Sequence, residues 1–527
     1  MTELGSDIPY ERTGQGEWPF LTEVAYIVVI VILYLILNLA FFGIIKLPAS
    51  VYFQSIITGQ LWRYPIIFLF LLGMAVPVLG YNQLRWTQFE NGRSLRLTIF
   101  FIALILAWAF ATYDYNHFYN QAHYFDRFLL LLFAAFILLH PIFVPFFVFF
   151  ALIIARQFEF PLGSYSWTDK QVLFDILILF STLLYVKLLD ERVDRYFILL
   201  ALCLFTANYI TSALRKLTLN WLVHNDLANL IVASFANGWF PSLPEKTVLQ
   251  MAQLIHKLSP VLLFLTLIIE FSPIFTFFHH RLAIFILFGT MGLHTIIFLS
   301  SGIFFWKWMA LALIFIVYLS RLEGEQITAV FNKKHATLSL ILFLLAPIFF
   351  RPVYLGWYDT PLNNFYRLEA IGESGTVYEI GRNFMSPYDP IFAQNRFWYL
   401  NNTPLVVGTY GATNILLIAN HLEQIDSLAA LLALEDEYGQ NYYDVAQGKQ
   451  FEEFIKSYFA HLNENGRKTI PLNYLAAPQH IWSFARENSY QMQEPIKTIQ
   501  VRLVKTLYHR DQIQTLSDEM IRQIEIP

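Results

Sequence analysis

Apolar residues in this chain gather in runs of about 20, the length that carries a helix across a bilayer core of roughly 30 Å. The runs fall at 22–46, 61–80, 97–113, 127–155, 171–189, 196–214, 258–278, 282–300, 303–320 and 336–354, and they predict about ten transmembrane helices. The fourth run is unusually long and is interrupted by His140-Pro141 and Pro145. Proline removes a backbone donor and kinks a helix, so this run is either one long kinked span or two shorter ones. Residues 1–21 form a polar, slightly acidic tail, and the run at 22–46 is too long for a signal-peptide core. It is expected to stay in the membrane as a true span.

Between the sixth and seventh runs, Leu217, Leu219, Trp221, Leu222, Leu227 and Leu230 lead to Gly238-Trp239-Phe240-Pro241. This pattern predicts a helix lying in the membrane interface over 217–241, with tryptophans in the head-group belt. The pattern changes from about 356. Phe365–Ile371 and Thr376–Ile380 read as two strands joined by Gly372-Glu373-Ser374-Gly375. Residues 413–436 and 448–463 have helical spacing, and Ile499, Val501 and Leu503 alternate with polar residues as in a half-buried strand. The expected fold is an all-α polytopic membrane helix bundle over 22–355, followed by a mixed α/β soluble domain over 356–527.

Composition agrees with that class. Of the 527 residues, 56% are hydrophobic and 14% charged, whereas a soluble chain is about a quarter charged. The net charge of −4 argues against a nucleic-acid partner and leaves membrane lipid as the immediate surroundings. A lone cysteine, Cys203, excludes an intrachain disulfide and a cysteine-only metal site. Under the positive-inside rule, the loops at 187–195 and 321–335 read as cytoplasmic, while Arg85, Arg93 and Arg96 count the other way. A cytoplasmic 321–335 loop places the C-terminal domain on the outer face.

The chemistry-bearing residues of the apolar half are few. Tyr209 to Leu217 ends in Arg215-Lys216-Leu217, and Trp221 follows. Glu270, followed by Pro273, lies inside the seventh run, and His294 lies in the eighth, shortly before Gly302-Ile303-Phe304-Phe305. Asn116-His117-Phe118-Tyr119 and His123-Tyr124-Phe125 approach the fourth run. Charged residues at membrane depth are costly and are usually functional or paired. Simpler roles compete: Lys216 can snorkel to the head groups, His294 can be a packed core histidine, and His140 can belong to a kink. His279-His280-Arg281 reads as a solvated turn. His117 and His123 lack the spacing of a metal-binding pair, and no carboxylate cluster completes a site, so no metal is expected. Glycine-rich phosphate loops and nucleophile elbows do not occur.

In this order the residues resemble the vitamin K-dependent gamma-carboxylase family and its wider bacterial relatives, the horizontally transferred transmembrane (HTTM) domain proteins. The resemblance covers roughly 95–325. It implies that Lys216, in a Tyr–small–Lys-Leu–Trp phrase, is a catalytic base. It also implies that Glu270 is the later acidic residue, and that His294 with Gly302 and Phe304 is the His/Gly-x-Phe pair. His123, and less well His117, matches a histidine that precedes an aromatic pair. Tyr209, Arg215, Trp221 and Phe304 would line the binding site. The family's Ala-Gly is Ser212-Ala213 here, and the separation from His123 to Lys216 is longer than the pattern expects. The implied activity is that of a membrane lyase or oxygenase acting on a lipid, quinone or peptide. A reduced, vitamin K-like quinone would be the cofactor, and a bacterial inner membrane the location.

That chemistry needs a neutral amine. A free lysine is protonated at neutral pH, and burial in apolar surroundings favours the neutral form. The alternative is a non-catalytic assembly protein that binds a protein partner through 356–527. A transporter ranks lower, because the paired interrupted halves of many transporters are not evident.

Overall fold

A computed structural model describes residues 19–43, 84–113, 118, 120–159, 162, 168–385, 397–408, 413–467, 470–485 and 488–527. The chain is mostly helical and closes with a small antiparallel sheet. Its first helices are α1 (Phe20–Gly43), α2 (Gly92–Thr112), α3 (Tyr124–Ile137), α4 (Phe143–Glu159), α5 (Thr168–Lys187) and α6 (Phe197–Thr218). After them come α7 (Trp221–His224), α8 (Leu227–Ala236), α9 (Glu245–Phe271), α10 (His280–Ser301) and α11 (Trp306–Ser320). Short helices α12 (Glu325–Val330), α13 (Lys333–Leu344) and α14 (Ala346–Phe349) complete the apolar half.

Five of the described helical segments are long and apolar enough to cross a membrane: Phe20–Gly43, Gly92–Thr112, Val193–Thr218, Glu245–Phe278 and His280–Ser301. The expected ten spans are not reached among the described residues, and each shortfall has a cause. The run at 61–80 lies outside them. The run at 127–155 breaks into α3 and α4 at His140-Pro141, where the His140 Nδ1 accepts from the Ile142 amide at 3.2 Å. Helix α5 carries Asp169, Lys170, Asp175 and Lys187, too many charges for a simple apolar span. Helix α11 has 15 residues, and the run at 336–354 yields α13 of 12 residues and the four-residue α14.

Helix α6 is the axis of the bundle. Its apolar stretch is 94% buried, against 33% for those of α9 and α10. Exposed apolar side chains such as Phe264, Ile268, Phe285 and Ile296 cover the latter two. Helix α6 tolerates polar residues in that setting because they satisfy themselves. Thr206, Thr211 and Ser212 each donate to the carbonyl four residues back, at 2.7, 2.7 and 2.8 Å, so no hydroxyl is left bare in an apolar medium.

The segment expected to lie flat over 217–241 folds as α7 and α8. Helix α8 returns along the first half of α9, where Ala228, Val232 and Ala252 are buried against each other. Small residues allow that close approach. Tyr508 and Ile513 pack on the same cluster from the C-terminal sheet. Helix α9 therefore begins at Glu245, well before the apolar run that suggested it, and carries Pro260 inside it.

The C-terminal part contains β1 (Leu362–Gly372), β2 (Val377–Glu379), α15 (Leu416–Leu422), α16 (Leu428–Tyr438), α17 (Val445–Asn465), β3 (Ile496–His509) and β4 (Gln512–Glu525). The expected β1–β2 hairpin and the strand at 499–503 are present. The helix expected over 413–436 is split, because Ser427 caps a new start at α16. Strand β4 was not expected. It pairs with β3 through a two-residue turn, with φ of 50° at Arg510 and 58° at Asp511, the left-handed geometry that matches strand twist. The sheet order is β2-β1-β3-β4, all antiparallel. One face, with Tyr366, Leu368, Val501 and Leu503, joins the apolar core with Phe451 and Phe454 of α17.

Candidate functional site

Tyr209 and Lys216 lie seven residues apart on α6, two turns along one face. The Lys216 ammonium donates to the Glu270 Oε1 near the end of α9 in a close ion pair. The two side chains are 12% and 8% exposed. The Lys216 Nζ also sits 5.2 Å from the centroid of the buried Trp221 ring, a cation–π contact that adds to the pair. Two turns back, the Tyr209 hydroxyl and the His294 Nε2 of α10 are 2.8 Å apart.

An aromatic wall surrounds the second pair. The His294 ring lies 4.8 Å from Phe305 and 6.2 Å from Trp308, and Tyr209 meets Trp308 edge-on at 5.8 Å. His480, from the C-terminal part, stands edge-on to Phe305 at 5.1 Å.

Two polar atoms here are buried without a hydrogen-bond partner, the Glu270 Oε2 and the His294 Nδ1. Each such group costs about 1–3 kcal/mol when nothing meets it. The ion pair is neutral overall in two forms, ammonium with carboxylate or amine with carboxylic acid. Moving its proton from Nζ to Oε1 frees the amine without bringing net charge into the interior.

A strap after α14 holds α6 at its middle and its end. The Val353 amide donates to the Asn208 Oδ1 at 2.9 Å, and the Tyr358 hydroxyl donates to the Leu219 carbonyl. Asp359 and Asn225 exchange two hydrogen bonds, at 2.7 and 3.0 Å. Desolvation pushes the buried Asp359 carboxyl up to about 6, and Asp226 adds to the rise.

The remaining sequence candidates lie elsewhere. The Arg215 Cγ lies against Gly356 in the strap. The Phe304 amide donates to the His480 carbonyl at 2.6 Å, and its ring faces Phe298; Phe305 is the neighbour of His294. The chain turns at Gly302, φ 74°, where a side chain would strike the Trp482 carbonyl, and that turn decides which phenylalanine faces the site. His123 caps α3 and faces Asp126 at 3.2 Å, beside Arg127, which donates to the carbonyls ending α2. His117 lies outside the described residues. Phe305 and Trp308 were within reach of a periodicity argument. His480 was not, because it is delivered by a bridge between Ile303 and Ile481.

Among the described residues, no group of three or more His, Cys, Asp or Glu could hold a metal ion. A cavity of about 250 Å³ lies apart from this site, between α8, the start of α9 and the sheet. A second space, of about 10 Å³ beside Asn208 and Trp308, holds no more than a water molecule. Compared with known proteins, the chain matches no family model, no curated protein and no solved structure.

Proposed function

We propose that this integral membrane protein removes a proton from a weakly acidic hydroxyl of a lipid-soluble molecule, with Lys216 as the base. The observation that carries this reading is the closed Lys216–Glu270 pair beside two unpartnered buried atoms, the Glu270 Oε2 and the His294 Nδ1. Glu270 takes the lysine proton and frees the amine, which then accepts the proton of the bound hydroxyl. With the Tyr209 O–H donating to Nε2, the His294 Nδ1 carries the ring proton and donates to the ligand oxygen.

The resemblance to the carboxylase and HTTM proteins makes a reduced quinone the first candidate. Such a molecule would supply an acidic hydroxyl pair and a flat ring. The donor set fits it: one free acceptor on Glu270, one free nitrogen on His294, and an aromatic wall at Phe305 and Trp308. Another lipid or a peptide would meet the same base. A bacterial inner membrane, with the C-terminal domain on the outer face, is the setting that goes with this reading.

Binding of a soluble naphthohydroquinone to the purified full chain, under anaerobic conditions, tests the proposal. Wild type should bind, and Lys216→Ala and Glu270→Gln should each bind at least tenfold more weakly while still eluting as folded monodisperse protein. Unchanged binding by both variants would overturn it.

The competing role, a protein partner held by 356–527, draws on one feature, the outer edge strand β4. That edge carries Asp518, Glu519 and Arg522 and has two register shifts against β3, devices that discourage strand addition. The catalytic reading is therefore preferred.

A further inference from the structure

One peptide, Pro471 to Phe484, crosses the end of the helix bundle. The Asn473 side chain donates to the Thr112 carbonyl at 3.0 Å, and the Ala477 amide donates to the Thr112 hydroxyl at 3.0 Å, both at the end of α2. Ile481 bridges Ile303, and the Trp482 amide donates to the Gly302 carbonyl, both just after α10. The Phe484 amide then donates to the Gly238 carbonyl at 2.8 Å.

The two ends of this peptide expose apolar side chains, and both do so where a lipid-facing helix ends. At one end Tyr474 is 84% and Leu475 66% exposed. The Leu475 carbonyl accepts from the Trp108 indole at 2.6 Å. Trp108 and Phe101, seven residues apart on α2, are both exposed, so they share the outward face of that helix. At the other end the exposed Phe484 stacks on Trp239 at 6.2 Å, and the Trp239 indole donates to the carbonyl of the exposed Leu299 on α10. Each site has the same parts: a tryptophan tied to a backbone carbonyl, an exposed apolar helix face and an exposed apolar side chain of the peptide. Tryptophan gathers at the membrane–water boundary, and an exposed apolar patch in water carries a cost that lipid removes.

We infer that the Pro471–Phe484 peptide lies in the membrane interface and inserts Tyr474, Leu475 and Phe484 into lipid. The occupant is the bilayer that holds the protein's own helices, because the patch adjoins their exposed apolar faces at Trp108 and Leu299. The inference rests on the reading of α2 and α10 as membrane spans, and it gives the C-terminal domain a membrane contact of its own.

The test uses the full chain in phosphatidylcholine vesicles with Cys203→Ser as background and one new cysteine at a time: Leu475→Cys, Phe285→Cys on α10, and Gln512→Cys on β4. Each is labelled with an environment-sensitive fluorophore. Quenching by lipids carrying a nitroxide near the head group is compared with quenching by iodide. The label at 475 should be quenched several-fold more by the nitroxide lipid than the label at 512, and several-fold less by iodide. If 475 behaves like 512 while 285 is quenched by lipid, the interfacial peptide is overturned and the membrane spans stand. If 285 also behaves like 512, the spans fail and the inference falls with them.

Discussion

Tyr209 and Lys216 stand on one face of α6, and each is held by a different helix, Tyr209 by His294 of α10 and Lys216 by Glu270 of α9. The central helix is thereby cross-linked twice by polar contacts in otherwise apolar surroundings. The arrangement couples stability to chemistry, since the groups that clamp the helix are those that would move the proton.

Removing either partner of the ion pair leaves the other charge buried and uncompensated. Lys216→Met or Glu270→Leu alone should destabilise the protein by about 3 kcal/mol, and the double variant should recover much of that loss. A double-mutant cycle on unfolding in detergent measures it. Additive losses would show that the two side chains do not stabilise one another.

Tyr209→Phe removes one hydroxyl and strips His294 of its described hydrogen bond. A loss of about 1–3 kcal/mol is expected. Hydroquinone binding should weaken as well, because the His294 tautomer is no longer fixed. Wild-type binding in Tyr209→Phe would remove the histidine from the proposed role.

The strap at 353–359 allows a steric test. A Cβ on Gly356 would lie 2.7 Å from the Arg215 Cγ and 3.2 Å from the Leu219 Cδ1. Gly356→Ala should therefore cost about 1–3 kcal/mol by overpacking. Arg215→Ala deletes the Cγ and should rescue it, so a Gly356→Ala/Arg215→Ala protein that melts no higher than Gly356→Ala would refute the contact.

Asp359 and Glu423 predict the direction of a pH effect. Burial pushes their carboxyls up to about 6 and about 7, whereas both ionise near pH 4 in an unfolded chain. Between about pH 4 and 7 the folded state then holds more protons than the unfolded chain. Stability should rise as pH falls through that window; for the buried Asp359 the penalty, about 3 kcal/mol, is felt in full above it, while the solvent-exposed Glu423 adds a smaller, screened share. Thermal midpoints at pH 7.5 and 5.5 should differ in wild type and converge in Asp359→Asn/Glu423→Gln. An unchanged difference in the double variant would assign the pH effect to other groups.

What could be read from the sequence was what repeats locally or what carries charge at a cost. Lys216, Glu270 and His294 stood out as polar groups in apolar runs, where a charge is usually functional or paired. The five long apolar helices and the β1–β2 hairpin are features of the same local kind. Long-range pairing was hidden. Strand β4 is polar on its exposed positions apart from Met520 and shows itself only when β3 is beside it. Helix α9 extends into a stretch with no membrane signature, because there it packs on α8 and the β3–β4 hairpin. His480 reaches Phe305 across nearly two hundred residues of chain, and no periodicity announces that.

Helix α9 joins two regions of different character. Its Glu245 borders the 250 Å³ cavity at the sheet, and its Glu270 holds Lys216. At 1.5 Å per residue the two residues are about 38 Å apart along one helix, with Pro260 between them. The same helix therefore packs at one end on α8 and the C-terminal sheet and at the other end supplies the partner of the buried lysine.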